Sequence, residues 1–319
     1  MKKTIALYII NVETAPNYVI SKAFHKAFDV VLEYDWCHIV KQCGLRECHL
    51  RFIQKLKELK PEYCFMQIQN PAMMTVEAIR EMAKHTNIIN WTGDVRDNKE
   101  WHDWFEAIGK EIYLTLFTNE KDVVYLKNKG VRTDYLQIGF DNINYNKKNN
   151  IGGFPEIVFC CNNYGQFPLS QYRINVAKTL KEHYKEKFYV YGTNWAKYGI
   201  KTCSLNNIQE ANAYNTCKIA ISVSHFAIER YFSDRLLRIM GCGTLPLSHY
   251  YPGIEKDFII NKDIVIFNDL KELINKCDYY LENTSERLMI ANNAFIKAHN
   301  DCTWDYRCKE LLELILKNG

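Results

Sequence analysis

The chain has 319 residues, too many for one ordinary core and enough for two α/β domains of about 150 residues each. Hydrophobic residues make up 47% and charged residues 24%, proportions that exclude a long disordered tract or a fibrous repeat. The 41 basic and 37 acidic residues leave a formal charge of +4 spread along the sequence, which excludes a polybasic nucleic-acid arm and selects no partner by itself.

No apolar stretch approaches the roughly 20 residues of a membrane span. The opening MKKTIALYIINVE turns polar too early for a secretory signal, so the chain reads as leaderless and cytoplasmic. Twelve cysteines then imply reduced thiols, not a disulfide framework. Cys37, His38, Cys43, Cys48 and His49 are all of metal-ligating type, but their spacing matches no paired Cys-x-x-Cys knuckle. The expectation is buried or incidental thiols.

In chain order, the first half alternates apolar strand-like runs with amphipathic segments, the pattern of a parallel sheet covered by helices on both faces. Strands are expected over residues 4–10, 30–34, 63–68, 87–91, 112–117 and 133–138. Helices are expected over 21–28, around Leu50, Ile53, Leu56 and Leu59 until Pro61, and over 75–84, 101–107 and 120–129. The run DNINYNKKNNIGGFPE after Phe140 has little periodicity and reads as a linker, which places a domain boundary at 145/146. A second alternation follows, with strands over 156–160, 188–191, 218–223 and 244–247 and helices over 171–184, 208–214 and 234–240. Leu270, Leu273, Ile274, Cys277 and Leu281 share one helix face, and two more helices span 285–299 and 304–316. The fold class is therefore α/β with two Rossmann-like domains, 1–145 and 146–300. The carboxyl ends of their sheets are expected to face one another across a ligand cleft.

ERYFSDRLLRIMGCGTLPLS, residues 229–248, is the most informative stretch. Ser233 or Asp234 can cap a helix whose first-turn N–H groups and dipole suit a diphosphate. Arg235 adds a forked cation one turn in, and Gly241 and Gly243 permit a tight turn into the next strand. On physics alone, a capped helix ending in glycine serves packing as readily as phosphate binding.

Six pieces appear in order over the second half. They are EIVFCCNNYG followed by Arg173, FYVYGTNW, KIAISVS, YFSDRLLRIMGCGTLPLS, DFIINKDIVIFNDLKELINKCDYYLEN, and CTWDYR in the closing helical segment. Together they resemble the C-terminal domain of the CgeB-like group of glycosyltransferases, related to the group-1 retaining family of glycosyltransferase-B (GT-B) architecture. The first half is similar only through NWTGDVRD and LFTNEKDVVYLKNKGV. The resemblance implies that the second domain holds a nucleotide-sugar donor (UDP-, GDP- or ADP-linked) and the first an acceptor, and that residues 301–319 form a helix crossing back to the first domain. Carried over by position, Asn162, Asn163 and Arg173 lie by the donor diphosphate and Gly192 and Trp195 near the base. Ser233, Asp234, Arg235 and Gly243 line the phosphate and ribose side. The family's ribose-binding Glu is replaced here by Arg238, and Glu229 is one residue off the family's spacing. Ribose recognition has therefore moved to another group, or the donor is handled differently.

Asp94 follows a strand and reads either as a general base for an acceptor hydroxyl or as a turn or cap aspartate. Asp97 and Asp103 stand behind it as candidates. His225 reads as a sugar or phosphate ligand or as a satisfied loop histidine. The resemblance implies no required metal or other cofactor, with helix dipole and cations stabilising the leaving diphosphate and Arg235 as the principal cation. Trp91, Trp101, Trp104 and Trp195 are expected near the cleft. The implied reaction is sugar transfer to a hydroxyl, with retention. The acceptor stays open between a glycan, a protein and a modified DNA base, and a non-catalytic scaffold of the same fold is the rival reading.

Overall fold

The computed structural model describes residues 3–9, 15–95, 99–148 and 152–318. The chain forms two compact units, Met1–Gly139 together with Trp304–Gly319, and Phe140–Thr303.

The first unit holds a sheet of β1 (Thr4–Ile9), β2 (Val30–Asp35), β3 (Tyr63–Met66), β4 (Asn87–Thr92), β5 (Leu114–Phe117) and β6 (Thr133–Tyr135). Their order is β2-β1-β3-β4-β5-β6 and every pairing is parallel. Parallel neighbours need crossover connections, supplied by α1 (Ala15–Ala27), α2 (Trp36–Cys43) and α3 (Leu45–Leu59), then α4 (Val76–Ala83), α5 (Lys99–Gly109) and α6 (Glu120–Lys127). Alternation along β1 feeds two cores. Ala6 and Tyr8 pack with Cys48, Phe52 and Leu56 of α3, while Ile5, Leu7 and Ile9 pack with Val19 and Phe24 of α1. The C-terminal helix Trp304–Asn318 completes this second core with Trp304, Cys308, Leu311 and Ile315. Trp304 meets Trp91 edge to face at 5.2 Å.

Periodicity misses α2, because three of its eight residues, Cys37, His38 and Cys43, belong to the Cys/His cluster and none of the eight is buried. Asp35 caps it by accepting from His38 N–H, and Gly44, at φ +81°, separates it from α3. The cluster thereby divides. His38 bonds Gln42, His49 bonds the Met73 carbonyl, and Cys48 lies beside the Tyr8 hydroxyl. All twelve cysteines are free thiols.

The second unit holds β7 (Ile157–Cys160), β8 (Phe188–Tyr191), β9 (Ile219–Ser222), β10 (Leu245–His249) and β11 (Val265–Phe267), in the order β11-β10-β9-β7-β8 and again all parallel. Its helices are α7 (Ser170–Tyr184), α8 (Asn207–Thr216), α9 (Asp234–Gly241), α10 (Leu270–Glu282) and α11 (Thr284–Asp301). The three-residue strand β11 is too short for periodicity to show. The division falls at Gly139/Phe140, earlier than the composition change suggests, because the start of the Asn-rich run is built into this unit. Asp141 accepts from the N–H groups of Ile143 and Asn144, Phe140 lies against Gly241, and the Tyr145 hydroxyl donates to Glu210 at 2.7 Å. The second division, at Thr303/Trp304, places the whole C-terminal helix in the first unit.

In each sheet the strand order reverses once, between β1 and β3 and between β7 and β9, and ligands of open α/β sheets gather outside the carboxyl ends at such a point. Residues 10–14, which follow β1, lie outside the described residues. Only in the second unit is the loop leaving the first strand at its reversal described throughout.

Trp304 is 4% exposed and joins the C-terminal helix to the sheet of its unit. Trp304→Ala is expected to lower unfolding free energy by about 3–5 kcal/mol, measured by urea denaturation followed by circular dichroism.

Candidate functional site

A cavity of about 240 Å³ opens at the reversal point of the second sheet. Cys160, Cys161 and Asn162 line it from the end of β7, and Tyr191 and Gly192 from the end of β8. Ser204 and Leu205 come from the following loop, Asn207 and Glu210 from α8, and Asp234, Arg235 and Arg238 from α9. Gly192 is required here by geometry. Its φ is +136°, and a Cβ would fall 2.1 Å from the Cys161 carbonyl oxygen.

The pairing of β7 with β9 ends at Val158 and Ala220, although both strands run on. Arg235 occupies the gap. Its Nε donates to the Cys160 carbonyl at 2.6 Å, and its Nη1 to the Val223 carbonyl at 3.4 Å and to Ser233 Oγ at 3.3 Å. Ser233 is the N-cap residue of α9 but makes no side-chain cap bond. Leu236 N–H donates to the Ser233 carbonyl at 3.1 Å, and the backbone N–H groups of Asp234 and Arg235 are the first-turn donors left beside the cavity. Arg238 is differently engaged. Nη1 donates to Glu210 Oε2 at 3.1 Å, Nη2 pairs with Asp234, and the guanidinium sits 5.0 Å from the Tyr145 ring. Burial opposes its charge, but Asp234 and Glu210 outweigh burial and hold its pKa above the ordinary value.

Behind the Arg235 side lies a group of buried polar atoms. Arg173, on the first turns of α7, is 0% exposed; its Nη2 donates to the Asn162 carbonyl at 2.8 Å, and its Nε and Nη1 have no hydrogen-bond partner. The Phe159 ring, 5.6 Å from the guanidinium, gives it partial compensation. Burial first, then the charge of Arg235, pushes the Arg173 pKa below its ordinary value. Asn163, also 0% exposed, has neither amide atom bonded, and neither has His225 Nδ1. Burial, then Arg173, then Arg235 lower the His225 pKa to about 3, so the ring stays neutral at physiological pH.

Of the residues the resemblance singles out, Asn162, Gly192, Asp234 and Arg235 line the cavity, Ser233 adjoins it, and Asn163 and Arg173 lie buried beside Asn162. Two fall elsewhere. Trp195 is sealed in the core at 0% exposure with its Nε1–H on the Cys161 carbonyl, so its ring presents no face to a base. Gly243 lies past the far end of α9, about 13 Å of helix rise from Asp234, and packs on Lys147. It serves the turn into the amino end of β10, whereas ligands collect at carboxyl ends. Sequence reasoning missed Glu210. The Asn206/Gln209 capping box marks the start of α8, but no local signal shows that Glu210 faces Arg238.

In the first unit, Asp94 is exposed two residues beyond β4. Asp103 is paired with Lys99 on the solvent face of α5, and Asp97 lies outside the described residues. Trp91 is core, 3% exposed with its Nε1–H on the Leu136 carbonyl, and Trp104 Nε1–H bonds the Met74 carbonyl; Trp101 is half-buried on α5. Among the described residues no three His, Cys, Asp or Glu side chains are grouped to hold a metal ion, and no helix is long and apolar enough to cross a membrane.

The sequence profile of a glycosyl transferase-like family matches residues 173–313. No curated protein is detectably similar in sequence. HepE of Anabaena, solved with UDP and glucose, superposes with a TM-score of 0.68 at 12% identity, covering 99% of this chain and 100% of that one. A glycosyltransferase of Rickettsia africae gives 0.69 at 12% identity, covering 100% of both chains. Sucrose-phosphate synthase of Thermosynechococcus elongatus gives 0.68 at 11%, covering 98% of both. These likenesses establish the fold as α/β with two Rossmann-like domains, that of GT-B structures.

Two outcomes are expected of this site. Gly192→Ala forces a Cβ onto backbone and is expected to lower the melting temperature by several degrees in calorimetry. Unfolded histidine gains its proton near pH 6.5 whereas native His225 stays neutral to about pH 3, so its contribution to stability is lost as pH falls through that interval. Urea-unfolding free energy is expected to fall less steeply from about pH 6.5 to about pH 4.5 in His225→Asn than in wild type.

Proposed function

We propose that the chain is a glycosyltransferase that takes a sugar from a nucleotide-sugar, UDP-linked in the first instance, and transfers it to an acceptor hydroxyl. The observation that carries this reading is the pair Arg173 and Arg235, two guanidiniums at the reversal point of a parallel sheet, neither in a salt bridge among the described residues. Arg173 is a buried charge without a counter-charge, which burial and Arg235 disfavour, and a pyrophosphate removes that cost. The backbone N–H groups of Asp234 and Arg235, in the first turn of α9, add donors beside the same cavity. The glycosyl transferase-like profile over 173–313 and the UDP held by HepE support the same ligand class.

In this reading the donor diphosphate is held by Arg173, Asn162, Asn163 and the start of α9. Arg235, already fixed by two carbonyls and therefore pre-oriented, stabilises charge as the nucleoside diphosphate departs. Asp94, exposed beyond β4, is the candidate carboxylate for accepting the acceptor proton.

Arg173→Met tests the assignment, because it removes the charge while keeping apolar bulk. UDP affinity measured by titration calorimetry is expected to fall by about tenfold or more. The melting temperature without ligand is expected to stay level or rise, since an uncompensated buried charge is gone. Folded wild-type protein that binds none of UDP, GDP and ADP would overturn the proposal.

A further inference from the structure

The cavity is lined by two chemically different sets of groups. One set donates, namely Arg235 with the unpartnered Nε and Nη1 of Arg173 nearby. The other set accepts, because the donors bonded to Glu210 and Asp234 are directed at their carboxylates. The Tyr214 hydroxyl donates to Glu210 Oε1 at 2.8 Å, the Tyr145 hydroxyl to Oε2 at 2.7 Å, and Arg238 to both Glu210 and Asp234. A carboxylate oxygen has two lone pairs, so Glu210 Oε2 is filled while Oε1 keeps one, and Asp234 Oδ1 keeps its own. Carboxylates with free lone pairs repel phosphate oxygens and accept from hydroxyl groups.

We propose that Glu210 accepts the ribose hydroxyls of the bound nucleotide, with Asp234 as second acceptor and Arg238 as the positioning residue that holds both carboxylates. The proposal rests on the nucleotide-sugar reading above and deepens it. It assigns the ribose to the carboxylates of Glu210 and Asp234, and the diphosphate to Arg173, Arg235 and the backbone N–H groups at the start of α9. Arg238 then acts through the carboxylates, since both terminal nitrogens are directed at them and one face of its guanidinium lies on the Tyr145 ring.

The test compares UDP with 2′,3′-dideoxy-UDP by titration calorimetry. Wild type is expected to bind UDP about tenfold or more tightly than the dideoxy compound. Glu210→Gln, whose amide oxygen still accepts from a tyrosine, is expected to bring the two affinities within about threefold while leaving dideoxy-UDP binding unchanged. Arg173→Met is expected to weaken both nucleotides equally and keep their ratio. Equal wild-type affinities, or equal weakening of both nucleotides by Glu210→Gln, would overturn the inference with the donor reading intact; no binding of UDP by wild type would remove the donor reading itself. If Glu210→Gln does not fold, Arg238→Lys takes its place. Loss of the ratio supports the proposal, and equal weakening of both nucleotides overturns it.

Discussion

The second unit depends on how its sheet closes where β7 and β9 part. Past Val158 and Ala220 the two strands no longer pair, and the carbonyls of Cys160 and Val223 need donors that no neighbouring strand supplies. Arg235 supplies them from the start of α9. One guanidinium thereby ties helix to sheet and holds open the ground at which a ligand can reach backbone, helix N-terminus and cation together. A lysine offers one ammonium centre where two diverging carbonyls need a planar fork.

Around that clip the charges are distributed unevenly. Arg238, Asp234, Glu210 and two tyrosine hydroxyls form a network in which the cation and both hydroxyls are directed at carboxylates. Arg173, by contrast, is buried with two nitrogens unbonded, beside an Asn163 amide with no partner and a histidine forced neutral. A fold selected for stability alone would replace that group with apolar side chains. Its place beside a cavity at the reversal point is the observation on which a ligand is proposed, and the balanced network of Arg238 lines the same cavity.

Much of this is visible in the residue pattern. Strands buried on both faces are continuous apolar runs, so β1, β7, β8 and β9 stand out, and amphipathic helices between them mark parallel crossovers. Helix α2 and strand β11 escape because one buries no residue completely and the other is three residues long. The Asn-rich run misleads for a different reason. Polar turns look like a linker in sequence, yet Asp141 and Tyr145 spend their polar groups inside the second unit. Trp195 misleads likewise, since an indole beside a glycine turn has the composition of a stacking platform until its N–H is found on the Cys161 carbonyl.

The sequence by itself determined the class of fold, the place of the two alternations and the segment from Ser233 through Arg238 as the polar end of a helix. These follow from periodicity, capping chemistry and glycine placement, all of which act over a few residues. Only the tertiary structure decided which side chains meet. Glu210 reaches Arg238 across 28 positions and Arg235 reaches Cys160 across 75, while Gly243 is parted from Ser233 by the length of one helix. Such meetings are set by strand order and by the reversal between β7 and β9, and no local pattern of residues encodes a distance between segments that the sheet brings together.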